Sequence, residues 1–146
     1  MVEIAQEKLS ELVNHTDEDG VDSYSIAHLW QVITLARNDL HKYCLVRDIS
    51  GSKTSGAASF FSYRGRLFEL HKALIRVRAI ENLTFEEMTD MLRREIVIAM
   101  RAGEILCIDC GKLATDFKTE LGFLPWDLIF NFEKFREQDC HTTIVK

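Results

Sequence analysis

The sequence lacks a long apolar run: at no point do about 18 hydrophobic residues follow one another, so it predicts no bilayer-spanning helix and no membrane partner. It also lacks a surplus of positive charge. Lys and Arg number 18 against 23 Asp and Glu, a net charge of -5, which argues against a duplex nucleic-acid partner because phosphates need a basic face. The first residues, MVEIAQEKLSEL, have neither the basic nor the apolar region of a secretory signal, so an intracellular, cytoplasmic location is expected. In that setting the sequons at Asn14 and Asn82 carry no meaning, and Cys44, Cys107, Cys110 and Cys140 are expected to be reduced thiols. There is one proline, no internal repeat and no low-complexity segment. The five histidines form no H-x-x-x-H pair, and no G-x-S-x-G nucleophile turn occurs.

What is present suits a folded domain. With 47% apolar and 28% charged residues over 146 positions, the chain can bury a core. Residues 2–13 have helical periodicity, with Ile4, Ala5, Leu9, Leu12 and Val13 on one side. HTDEDGVDS, residues 15–23, reads as an acidic linker, which divides the chain into an N-terminal extension (1–23) and a main domain (24–146). A second helix is expected from Ser25 to about Leu40, carrying Ile26, Leu29, Trp30, Ile33 and Ala36 or Arg37. Tyr43-Cys44-Leu45-Val46 is a short apolar run between turn residues and reads as a buried strand. A compact helix follows over 57–63; Leu67–His71 has strand character, and Lys72–Ile80 fits strand or helix.

The later elements are better marked. Thr84 and Glu87 have the spacing of a capping box, in which each side chain satisfies the other residue's free backbone N–H. Phe85, Met88, Leu92, Ile96 and Ala99 or Met100 then form one stripe, and Gly103 supplies a left-handed C-cap. Ile105–Asp109 is an apolar run ending in an acid, as in a parallel strand covered on both faces. A loop over 113–122, an aromatic helix over 126–138 and a short tail complete the chain. The expected fold class is a three-layer α/β module of P-loop-NTPase type, with a small, mostly parallel sheet and an N-terminal helical extension.

One loop carries the functional question. Residues 51–59 read GSKTSGAAS, with Gly51 and Gly56 spaced as in G-x-x-x-x-G-K-[ST]. Backbone N–H groups of such a loop, with a helix N-terminus behind them, hold an anion without side-chain help. Nucleotide chemistry also needs a Lys on the outer phosphates and a hydroxyl on Mg²⁺, and Ala57 and Ala58 stand in those places. Shifting the register onto Lys53 and Thr54 restores both groups but puts Arg47 and Ser52 where glycines belong. The residues Gly51, Ser52, Lys53, Thr54, Ser55 and Gly56 therefore form a degenerate phosphate loop. Asp109 is Walker-B-like in ending an apolar strand, but Cys110 follows where a hydrolysing enzyme often has Glu. A loop-capping role is the simpler reading of that acid.

Other groupings give weaker signals. Cys107-x-x-Cys110 has zinc spacing without a second such pair, so no metal site is expected and core thiols are the simpler reading. Arg64 and Arg66, with Lys72, Arg76, Arg78, Arg93 and Arg94, make the one basic region, read either as a charge-balanced solvated face or as a contact for an acidic partner. Phe123, Trp126 and Phe130 sit at near-helical spacing and are expected in the core. Phe132 falls on another face and is a candidate protein contact.

Residues 42–48, the SGSKTSGAASFF loop and helix, and the segment EIVIAMRAGEILCID resemble the degenerate AAA-type modules of dynein heavy chains, the fifth in particular. Leu124-Pro125-Trp126-Asp127-Leu128 resembles that family's later P-x-L element, and similar broken modules occur in ciliary proteins with IQ motifs or ankyrin repeats. The likeness spans residues 42–130, with a poorly matched stretch over 65–83. It implies a non-hydrolysing module without a cofactor, docked on other proteins of a cilium or motor, ciliary or microtubule-associated. The competing reading is a small kinase or NTPase that uses Lys53, Thr54 and Asp109.

Overall fold

A computed structural model describes residues 2–51, 55–80, 82–113, 115–122, 124–137 and 144–145. The chain divides into two compact units, Met1–Ala57 and Ala58–Lys146.

In the first unit, α1 (Val2–Glu11) buries Ala5. The expected acidic linker is a hairpin instead. Strands β1 (Val13–Thr16) and β2 (Asp22–Tyr24) pair antiparallel, with a bulge between Val13 and His15. Its turn closes on Asp17, whose Oδ1 accepts the N–H groups of Asp19 and Val21 at 3.1 and 2.8 Å. The acids read as linker chemistry are thus turn chemistry, because a short Asp side chain can replace a backbone acceptor locally. Ser25 caps a 3-10 turn, Ile26–His28, that leads into α2 (Leu29–Asn38), where Ile33 and Ala36 are buried. The expected strand Tyr43–Val46 does not form. Residues 41–49 have no helix or strand, and Leu45 is 99% exposed. A strand needs a neighbouring strand to hold its backbone groups, and Cys44, Leu45 and Val46 make no backbone hydrogen bond with a described residue.

The second unit follows from α3 (Gly56–Arg64), which begins at the boundary. Strand β3 (Arg66–Phe68) leads to α4 (Leu70–Ile75), which widens into a π-helical turn over Arg76–Ile80. Helix α5 (Phe85–Ala102) has the expected capping box: Thr84 Oγ1 accepts the Glu87 N–H and the Glu87 carboxylate accepts the Thr84 N–H. It ends at Gly103, φ 68°, in the left-handed conformation that costs other residues about 1 kcal/mol or more. Strand β4 (Leu106–Ile108) then pairs parallel with β3, Arg66 against Leu106 and Phe68 against Ile108. The fold is mixed α/β with a small parallel strand pair, joined by a crossover through α4 and α5.

The core of this unit gathers Phe68, Leu70, Leu74, Met88, Leu92, Ile96, Leu121, Trp126 and Ile144. The α5 stripe buries Met88, Leu92 and Ile96 as expected, and of the two candidates for its last position Ala99 is buried; Phe85 stays 38% exposed. The expected long terminal helix is broken into α7 (Trp126–Ile129) and α8 (Phe132–Phe135), after a short α6 (Phe117–Glu120). The break lies at Asn131, whose side chain accepts the Lys134 N–H and so starts a new helix. Of the tail, Ile144 is fully buried and its carbonyl accepts from Arg93; residues 141–143 lie outside the described residues. No described helix is long and apolar enough to cross a membrane.

Candidate functional site

The degenerate loop is organised by a residue that the glycine spacing does not point to. Asp48, two residues beyond the apolar run 43–46, turns its carboxylate onto the start of α3. Its Oδ2 accepts the Gly56 N–H at 2.8 Å and the Ser55 hydroxyl at 3.0 Å, and its Oδ1 accepts the Ser50 N–H at 3.0 Å. Bonds from Ser50, and then those from Ser55 and Gly56, hold this carboxyl well below the usual carboxylate range. A helix N-terminus attracts anions because its first N–H groups are unpaired and its dipole is positive there. Here an anion of the chain itself is bound at that terminus. Gly51 has φ 69° and open space around it, and Ser52, Lys53 and Thr54 lie outside the described residues.

Asp109 belongs to the second unit and closes its own loop. Its Oδ1 accepts the Gly111 N–H at 2.8 Å, and its backbone N–H donates to the Phe68 carbonyl at 2.9 Å. The first turn of α4 meets it from the end of β3. His71 donates its backbone N–H to the Asp109 carbonyl at 3.2 Å, and His71 Nδ1 lies 3.2 Å from that carbonyl and 3.6 Å from the carboxylate. Gly111, at φ 59°, lies against the imidazole, where an added Cβ would come within 2.8 Å of the ring. The loop-capping reading of Asp109 matches these contacts. His71 was not legible as its partner, since 38 residues separate them in sequence.

The cysteines near this loop are protonated. Burial first, then the Asp109 charge, pushes the Cys107 thiol up to about 11, and Cys110 is raised for the same two reasons. No group of three or more His, Cys, Asp and Glu residues suited to a metal occurs among the described residues; Cys140 and His141 lie outside them.

The basic region is largely matched by acids. Arg66 reaches Glu95 at 2.6 Å and Glu104 at 3.7 Å, Lys72 reaches Glu69, Arg78 reaches Glu120, and Arg93 and Arg94 share Asp90. The Arg64 side chain makes no hydrogen bond or ion pair with a described residue, and Tyr63 beside it is 90% exposed. Phe132 is half-buried, with the Arg136 guanidinium 5.8 Å from its ring centre.

The aromatic end of the chain forms a shallow recess of about 650 Å³, lined in part by Phe117, Trp126, Phe130 and Asn131. Trp126 is buried and donates its indole N–H to the Leu121 carbonyl at 2.7 Å, whereas Phe130 is 51% exposed. Phe117, which the spacing did not single out, stands edge-on to both rings at 5.0 and 5.3 Å; Phe123 lies outside the described residues. The three rings pack against one another and leave no box between them for a ligand. No protein-family model, curated protein or solved structure matches the chain.

Proposed function

We propose that this chain is a catalytically inactive, P-loop-like module that serves as a protein-interaction scaffold, with the ciliary axoneme as the setting that its dynein-type resemblance implies. The observation that carries this reading is the Asp48 carboxylate on the Gly56 and Ser50 N–H groups. A phosphate approaching the start of α3 would meet a fixed negative charge, already hydrogen-bonded, in the place it needs. Asp109 adds support, since its carboxylate is engaged by Gly111 and faces His71. The three-layer P-loop part of the reading rests on the sequence pattern and on the crossover from β3 to β4. The run before the loop is not a strand.

For the scaffold role, the exposed Tyr63–Arg64 pair is the best contact. Tyr and Arg are the residue types that most often carry binding energy at protein interfaces, and Arg64 has no intramolecular ion pair among the described residues. Arg66, bound to Glu95, serves the fold instead.

Thermal-shift titration with Mg·ATP, followed by phosphate-release assays, tests the inactive site. Neither a melting shift nor turnover is expected, and Lys53→Ala should change neither. A magnesium-dependent rise in melting temperature with phosphate release, both lost in Lys53→Ala, would establish the enzyme reading instead.

A further inference from the structure

We propose that the socket filled by Ile144 is a peptide-recognition site, that residues 139–146 are its resident ligand, and that a partner segment with the same anchor chemistry displaces them. Two features of the second unit carry this. Ile144 is fully buried in the cluster that contains Met88, Leu92, Ile96 and Trp126, whereas Val145 beside it is 38% exposed. The segment thus enters the core with one side chain and is back at the surface at the next residue. The second feature is Arg93 on α5, with a side chain only 22% exposed, whose Nη1 donates to the Ile144 carbonyl at 3.3 Å. The guanidinium is held in place by its own helix: Asp90 Oδ1 accepts from Nε at 2.8 Å and from Nη2 at 2.6 Å. An apolar socket beside one oriented charged donor is how binding sites combine burial with direction.

The attachment is slight. The Arg93 bond is the one hydrogen bond that Ile144 and Val145 make with a described residue, and its 3.3 Å is long for a charged donor. One anchored side chain and one such bond give a free peptide a Kd on the order of 100 µM. Joined to the chain, the same segment faces the socket at an effective concentration of about 1 mM. It therefore fills the socket about nine-tenths of the time and leaves it open to a competitor for the rest. The resident segment defines the chemistry of that competitor. It is a short peptide with a β-branched aliphatic anchor of the size of Ile, whose own carbonyl meets Arg93 and whose next residue returns to solvent. A charged anchor is rejected, because the cluster around Ile144 would leave it buried without a partner.

The socket stands independently of the phosphate loop and of the Tyr63–Arg64 contact. Its test uses the full chain with Ile144→Asp, which empties the socket, and a fluorescently labelled synthetic peptide of residues 139–146 carrying Cys140→Ser. Fluorescence anisotropy should show binding with a Kd on the order of 100 µM. The wild-type chain, its socket filled by its own segment, should bind the peptide about tenfold more weakly. A peptide that itself carries Ile144→Asp should not bind, and Arg93→Ala added to the emptied chain should weaken the intact peptide by about fivefold or more. If Ile144→Asp melts without cooperativity, a protease site inserted after Gln138 of the full chain takes its place: once cut, the body should stay folded and exchange residues 139–146 for the labelled peptide. A folded Ile144→Asp chain that ignores the peptide, equal binding to both chains or of both peptides, an affinity unmoved by Arg93→Ala, or a cut chain that unfolds or never exchanges its segment would overturn the proposal.

Discussion

Replacing Asp48 with Ala or Asn removes the charge held at the start of α3 and tests whether that charge organises the turn. The carboxylate accepts bonds at 3.0, 2.8 and 3.0 Å from the Ser50 N–H, the Gly56 N–H and the Ser55 hydroxyl. Losing an acceptor at a helix N-terminus costs about 1 kcal/mol. Asp48 is exposed, and solvent screening places the loss toward the lower end. In a chain of this length about 1 kcal/mol lowers Tm by roughly 2–4 °C. Asn keeps one acceptor oxygen, so D48N should lose less than D48A. The sign with pH follows from the direction of the shift. The folded carboxyl titrates below its unfolded value of about 3.9, so its stabilisation is complete above that pH and fades as pH falls through the folded value. The difference between wild type and D48N should therefore be constant from neutral pH to about pH 5 and shrink only below about pH 4. A second readout is inorganic phosphate. With the resident anion gone, the Gly56 N–H is open, and D48A should gain a phosphate-dependent rise in Tm that wild type lacks. Differential scanning fluorimetry measures both. If D48A melts with wild type at neutral pH and responds to phosphate no more strongly, the carboxylate is not the anion of this turn and the argument for an inactive site loses its support.

The Asp109 loop and the thiols give two further tests. Gly111→Ala combines a left-handed φ of 59° with a Cβ 2.8 Å from the His71 ring, so it should destabilise the fold by roughly 1–3 kcal/mol in chemical denaturation. Gly20→Ala, at φ 76° with nothing within 4 Å, should show only the backbone part; equal losses for the two would refute the contact. With a thiol at about 11, Cys107 is only about one part in a thousand thiolate near pH 8. Cys44, raised less by partial burial of its sulfur and sited in an exposed run, should be alkylated well before it, as mass-spectrometric time courses will read. Cys107 modified first would contradict the burial that the fold assigns it.

The site was only partly legible from sequence. The glycine spacing located the loop, and the apolar run located Asp109 at the end of a strand. That Asp48 would bind the start of α3 was not marked, because any nearby Asp, Ser or Asn could cap a helix and spacing does not choose among them. The basic region read as a solvated face or a contact; Lys72, Arg93 and Arg94 find their acids within four residues, but others lie far off in sequence. Arg66 meets Glu95 across 29 residues and Arg78 meets Glu120 across 42.

The sequence by itself determined the features whose partners lie within a turn or two of chain. The Thr84–Glu87 box, the stripe from Met88 to Ala99 and the left-handed stop at Gly103 are local, and each formed as its pattern specified. Tertiary structure alone decided which apolar runs became strands. Leu106–Ile108 found Arg66–Phe68 beside it, while residues 43–46, no less strand-like in composition, pair with no described strand. A helix closes its hydrogen bonds within itself, but a strand exists only where another backbone lies alongside, and that placement is a property of the whole fold.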